Sequence, residues 1–373
     1  MKVAATALIQ SQQWPKQEKS GTIWCNISSH KIGRQHQMTS LNNVANEIVF
    51  SYKGILAADE SPGTMGKRFE SVSLTMNNEA ETRRIYRNAL FDASGLGQYI
   101  GGVILHEETL EQCNDDELPI PSVLAQEAIH AGVKVDKGAK PLCLHNTVDK
   151  VTHGLDGLEE RCERFRMLGA RFTKWRAVLT VDTNCYALRE NARVLARFAA
   201  ISQANDMVPI VEPEVLMDGD HDIEKSRKVT RRAIRMTFDE LDKAGVDFSG
   251  VLLKPNMVLP GYDSTENVSD TAIAHKTVSA LMDSVPASVP GVVFLSGGQT
   301  PEQSTSRLSA INAVGSICPW RLSFSFGRAL QAPSLKAFSV GDFEGVAVQL
   351  LKRAKLNSVA TSATYTAAME LDN

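Results

Sequence analysis

The sequence lacks any long apolar run. Stretches such as GGVIL (101–105) are far shorter than the roughly 20 residues that a membrane-spanning helix needs. It also lacks paired cysteines. Six of them (Cys25, Cys113, Cys143, Cys162, Cys185 and Cys318) are scattered, with no zinc or redox spacing, which fits a reducing compartment. Forty basic residues against 43 acidic ones leave a net charge of −3, so there is no electrostatic footprint for nucleic acid. Eight histidines show no metal-ligand pattern, and His221, between Asp220 and Asp222, reads as a loop residue. No metal is therefore expected in the chemistry. The first 37 residues are nearly without acids, holding Glu18 alone against five lysines and arginines. Such a leader suits a transit peptide, a disordered extension or an upstream start before Met38. The expected location is accordingly cytoplasmic, or plastid if residues 1–37 act as a transit peptide.

Hydrophobic residues make up 43% of the chain, enough for an ample core. From residue 54 onward, short apolar runs alternate with amphipathic helix-like stretches. The runs are GILAADE (54–60), GGVIL (101–105), GVKVD (132–136), RFTKWRAVL (171–179), MVPIVEPEV (207–215), GVLLKP (250–255), GVVFLSGG (291–298) and RLSFSFG (321–327). Alternation of this kind predicts βαβ units on a parallel sheet. Eight strands over this length predict a (β/α)8 TIM barrel, with a doubly wound open sheet as runner-up. The open sheet is disfavoured because no GxGxxG follows the first strand. No linker divides the region, so a single barrel domain is expected over 38–355, between an extension at 1–37 and a tail at 356–373.

The strands share a habit of ending in charge. Asp59 closes the first, Lys134 and Asp136 the third, Lys174 and Arg176 the fourth, Glu212 and Glu214 the fifth, and Lys254 the sixth. Three of these are i, i+2 pairs, and a period of two puts both members on one face of a strand. If that face is the barrel interior, the groups converge at the C-terminal mouth, where barrel active sites lie. Lys254, at the end of an apolar run stopped by Pro255, is the most telling. Its pKa is expected to fall through desolvation and through a neighbouring Lys174, each cation lowering the other. The bland alternative is a lysine whose stem lies on the strand end while its ammonium reaches water. A neutral lysine amine attacks carbonyls to form a Schiff base. Glu212 and Glu214 would then move protons, and Asp59 would take one from a substrate hydroxyl as the adjacent C–C bond breaks. Ser296, Gly297 and Gly298 after the seventh strand, with Ser325, Gly327 and Arg328 after the eighth, form two glycine-bearing loops in the slots where barrels bind phosphate.

Together with GVILHEETL (102–110), GLDGLEERC (154–162), VPIVEPEVLMDGDHD (208–222), LLKPNMVLPG (252–261), FLSGGQ (294–299) and LSFSFGRALQ (322–331), these residues resemble the class I, Schiff-base fructose-bisphosphate aldolases from about residue 41 to 366. The resemblance implies an aldehyde-lyase of glycolysis, gluconeogenesis or the Calvin cycle. Such an enzyme reversibly cleaves fructose 1,6-bisphosphate to dihydroxyacetone phosphate and glyceraldehyde 3-phosphate, as a metal-free homotetramer. It implies Lys254 as the Schiff-base lysine, Glu212 as the acid/base, Asp59 as the base for the C4 hydroxyl, and Lys174 and Glu214 as the rest of the charged cluster. Ser61, Thr64, Lys134 and Arg176 are implied for the far end of the sugar. Three departures are visible: Ser249 where the family usually has glutamate, Thr64 where many relatives have serine, and no tyrosine after Tyr365. The last predicts slower enamine protonation and a weaker preference for the bisphosphate over fructose 1-phosphate. Sedoheptulose 1,7-bisphosphate as substrate, or a non-catalytic sugar-phosphate scaffold, are the other readings the sequence leaves open.

Overall fold

The computed structural model describes residues 41–74, 76–142 and 149–371; the expectations for 1–37 lie outside them. Eight parallel strands close into a barrel. They are β1 (Gly54–Ala58), β2 (Ile100–Leu105), β3 (His130–Lys134), β4 (Phe172–Leu179), β5 (Val208–Val215), β6 (Leu252–Leu253), β7 (Gly291–Phe294) and β8 (Arg321–Phe326). Each pairs with its neighbours in sequence, and β1 closes the ring against β8. All eight apolar runs are strands, and the (β/α)8 barrel is the fold; the open sheet is excluded by the closure.

Side-chain parity divides each strand. Leu56 and Ala58 of β1 and Phe324 and Phe326 of β8 join the layer between barrel and helices. Ile55, Ala57, Phe172, Val208, Ile210, Leu252 and Val293 point inward and form a separate interior cluster. That cluster also contains Val44, Ala45, Ile48 and Val49 from the helix Leu41–Val49, which closes the N-terminal end of the barrel. The helix comes so close that a Cβ on Gly101 would lie 2.2 Å from the carbonyl oxygen of Ile48. Only glycine fits there. A small antiparallel hairpin, Ala139–Pro141 with Lys150–Thr152, was not expected. Its strands are three residues long and largely exposed, so they carry no alternation to read. The helix Phe343–Thr361 runs through position 355, where the sequence places the end of the barrel domain.

Candidate active site

On three strands the inward parity continues two residues beyond the apolar layer, and there the side chains become charged. On β4, Phe172 gives way to Lys174 and Arg176; on β5, Ile210 gives way to Glu212 and Glu214; on β6, Leu252 gives way to Lys254. Pro255 has no N–H to extend the ladder, so β6 stops at once. Lys254 is nonetheless held on both sides: its own N–H donates to Val211 O at 2.8 Å, and the next carbonyl, of Pro255, accepts from Leu295 N at 3.0 Å.

Four charges, the half-buried Asp59 and three buried ones, form an alternating row. Asp59 Oδ2 lies 2.7 Å from Lys174 Nζ, Lys174 Nζ lies 3.3 Å from Glu212 Oε2, and Glu212 Oε1 lies 3.3 Å from Lys254 Nζ. Lys254 and Lys174 are each only 4% exposed, so water does little to screen the row. Burial pushes the Asp59 carboxyl up, but Lys174 and then Lys254 overcome it and hold it well below the usual carboxylate range. Glu212 behaves alike: burial raises it, while Lys174, Lys254 and Arg176 pull it down further. Both are carboxylates at neutral pH. Lys174 corrects an expectation. Mutual repulsion with Lys254 was to lower its pKa, yet it is raised, because burial, which lowers it, is outweighed by Asp59, Glu212 and Asp136. Lys174 is therefore a fixed ammonium and the clamp between two carboxylates.

Above this row stands a second layer. Glu214 pairs with the Arg176 guanidinium rather than with either lysine. Lys134 Nζ binds Asp136 Oδ1 at 2.7 Å, and Asp136 Oδ2 accepts from Arg176 N at 3.3 Å. Ser61 caps the helix Pro62–Ser71, its Oγ accepting from Thr64 N at 3.4 Å and lying 3.1 Å from Thr64 Oγ1. The two hydroxyls thus share one helix N-terminus.

The glycine loops sit where the sequence puts them. Ser296, Gly297 and Gly298 precede the helix Pro301–Val314, which is closed by a capping box between Thr300 and Gln303. Gly298 is left-handed (φ +75°), and a Cβ there would meet the Tyr262 hydroxyl at 1.9 Å. Ser325 is an inward, buried residue of β8 whose Oγ has no protein partner. Gly327 and Arg328 open the helix Arg328–Ser339. A cleft of about 140 Å³ is lined by Arg176, Glu214, Asn256, Tyr262, Gly297 and Arg328, among others.

Two residues at the mouth were missed. Arg68 reaches within 3.7 Å of where a Gly327 Cβ would stand, and its Nη1 is held 2.8 Å from Glu60 Oε1. Thr64 and Arg68 are i, i+4 on one helix, a spacing that could have paired them. Tyr262 lies in a loop with no periodicity, and nothing local marks it. His221 is a loop residue as expected, though a buried one. Among the described residues, no group of three or more His, Cys, Asp or Glu is placed to hold a metal ion, and no helix is long and apolar enough to cross a membrane.

Residues 40–373 match the family model described as fructose-bisphosphate aldolase class-I. The chain is 45% identical over 335 residues to the non-muscle fructose-bisphosphate aldolase of Lethenteron camtschaticum, covering 88% of this chain and 91% of that protein. It is 49% identical over 319 residues to the cytosolic fructose-bisphosphate aldolase 4 of Arabidopsis thaliana, covering 84% and 80%. A crystal structure of fructose-bisphosphate aldolase from Plasmodium falciparum, in complex with TRAP and a small-molecule inhibitor, superposes with a TM-score of 0.85 at 44% identity. That match covers 87% of this chain and 95% of the other.

Proposed function

The chain belongs to the class-I fructose-bisphosphate aldolase family of lyases, and we propose that it cleaves the bisphosphate through a Schiff base on Lys254, with no metal. The observation that carries this is the row Asp59–Lys174–Glu212–Lys254 on one floor of the mouth.

Glu212 begins as a carboxylate 3.3 Å from Lys254 Nζ, so it takes a proton from the ammonium and frees the amine. The amine attacks C2 of the open-chain ketose, and the resulting carbinolamine loses its hydroxyl as water when Glu212 returns that proton. The product is an iminium on Lys254. Asp59 then takes the proton of the C4 hydroxyl, the C3–C4 bond breaks, and glyceraldehyde 3-phosphate leaves as the aldehyde. The electron pair passes to the iminium, giving an enamine. Protonation at C3 and hydrolysis release dihydroxyacetone phosphate and restore the lysine. Lys174 does not turn over; its ammonium keeps Asp59 ionised and in place. One phosphate goes to Ser296, Gly297, Gly298, Ser325, Gly327 and Arg328, where backbone N–H groups and a helix N-terminus favour an anion. The other end of the sugar goes to Ser61, Thr64, Lys134 and Arg176, and Glu214 orients Arg176.

Borohydride reduction in the presence of dihydroxyacetone phosphate, followed by peptide mapping, tests the reading. The label is expected on Lys254; a folded protein that traps no adduct, or traps it on another lysine, rules it out. The proposal extends to a homotetramer, checked by light scattering. It extends also to a cytosolic location, supported by relatives named as cytosolic in Arabidopsis thaliana and cytoplasmic in Pisum sativum, and checked by imaging the tagged full chain.

A further inference from the structure

Asp59 lies just beyond β1, where the ladder no longer holds the backbone. Pairing of β1 with β8 ends at Leu56 and Phe326, and pairing with β2 ends at Ala58 and Leu105. Carbonyls on either side of Asp59 are instead taken up by two buried side chains from the helices outside the barrel. Gln331, on the helix Arg328–Ser339, donates Nε2 to Ala57 O at 2.7 Å and to Glu60 Oε1 at 3.0 Å. Arg87, on the helix Ala80–Phe91, donates Nη2 to Glu60 O at 2.8 Å and Nη1 to Thr109 Oγ1 at 2.5 Å.

Chemistry fixes the orientation of the Gln331 amide. A backbone carbonyl can only accept, so Nε2 must face Ala57. On the other side Tyr86 O–H donates to Oε1 at 3.2 Å. Burial, and then the Glu60 charge, raise the Tyr86 pKa, so the hydroxyl keeps its proton. Burying an amide and a guanidinium is costly unless their bonds are made; here three go to one four-residue stretch, 57–60, and Thr109 and Tyr86 take the others. Both groups are buried.

We propose that Gln331 and Arg87 are positioning residues for C–C bond cleavage: they clamp the Ala57 and Glu60 carbonyls so that Asp59 stays aimed across the barrel at Lys174 and at the substrate hydroxyl. The inference rests on the reading of Asp59 as the base. It makes a distinction that a purely structural role would not. Schiff-base formation uses Lys254 and Glu212, on β6 and β5, whereas cleavage uses Asp59 on β1. Loosening the clamp should slow the second and spare the first.

Gln331→Met keeps the length of the side chain and removes both donors. Steady-state cleavage of fructose 1,6-bisphosphate, borohydride trapping with dihydroxyacetone phosphate and thermal melting would be compared with wild type. The expected result is a kcat lower by about 10- to 100-fold, with KM within about threefold and trapping within about twofold. Tyr86→Phe frees only the far side of the amide, and a severalfold loss of kcat is expected; it decides alone should Gln331→Met not fold. Wild-type kcat in the folded variant overturns the proposal, and so does a parallel loss of cleavage and trapping. Asp59→Asn separates the two levels. If it retains cleavage, the reading of Asp59 is wrong. If it is inactive while Gln331→Met cleaves normally, the clamp alone is wrong.

Discussion

The two ends of the barrel interior are built by the same strands on the same inward parity, yet they share almost no chemistry. At the N-terminal end, Ile55, Phe172, Val208, Ile210, Leu252 and Val293 meet the helix Leu41–Val49 in an apolar plug. Two residues further along, or four on β1, the strands carry Asp59, Lys174, Glu212 and Lys254. The plug supplies burial, which stabilises without regard to direction. The mouth holds ionised groups out of water, which is expensive and tolerable only because each has an opposite neighbour. Stability and reactivity are thereby placed one above the other, so damage to one end should leave the other largely readable.

That separation can be broken from either end. Replacing Lys254 by methionine removes the nucleophile and should lower kcat/KM by on the order of 10⁵-fold, with the melting temperature kept, as activity and thermal melting would show. Glu212→Gln removes the proton carrier. A loss of about 10²- to 10⁴-fold in the rate of adduct formation is expected, followed by rapid-quench trapping. At the other end, Ile48→Ala should cost about 2–5 kcal/mol in chemical denaturation while kcat at 25 °C changes little. A large fall in kcat in that variant would mean that the plug shapes the mouth directly.

A smaller effect is expected from Arg328→Ala. It should raise KM for the bisphosphate by about 10-fold or somewhat more, through loss of one charge-assisted hydrogen bond, with kcat retained. Smallest is the dependence on pH. Asp59 and Glu212 titrate lower in the folded protein than their ordinary values near 4. Their contribution is present above the unfolded values and is lost as pH falls through the folded ones. The stability of wild type relative to Asp59→Asn should therefore shrink below about pH 4, measured by denaturation at stepped pH. A gap that stays constant would show that Asp59 does not carry that linkage.

Much of this was legible in one dimension. All eight strands could be read because alternation and turn residues are local properties, and the charged ends of β4 and β5 could be assigned to one face because i and i+2 always share it. The glycine loops after β7 and β8 were legible for the same reason. Arg68 was not, since it enters the mouth from a helix whose inward face is set by docking. Gln331 and Arg87 look in sequence like any polar residues on amphipathic helices; only burial on the far side of the wall gives them a partner.

From sequence alone came which charged side chains share a face: Lys134 with Asp136, Lys174 with Arg176, and Glu212 with Glu214. The period of a strand needs no knowledge of its neighbours. Tertiary structure decided which charges meet. β1 pairs with β2 and β8, not with β4, so the 2.7 Å contact between Asp59 and Lys174 crosses the barrel interior and exists only because the ring is closed. That contact, with Glu212 beside it, reverses the sign expected at Lys174, because the nearest charges to its ammonium are carboxylates rather than another lysine. Electrostatic shifts are sums over distance, and distances belong to the fold.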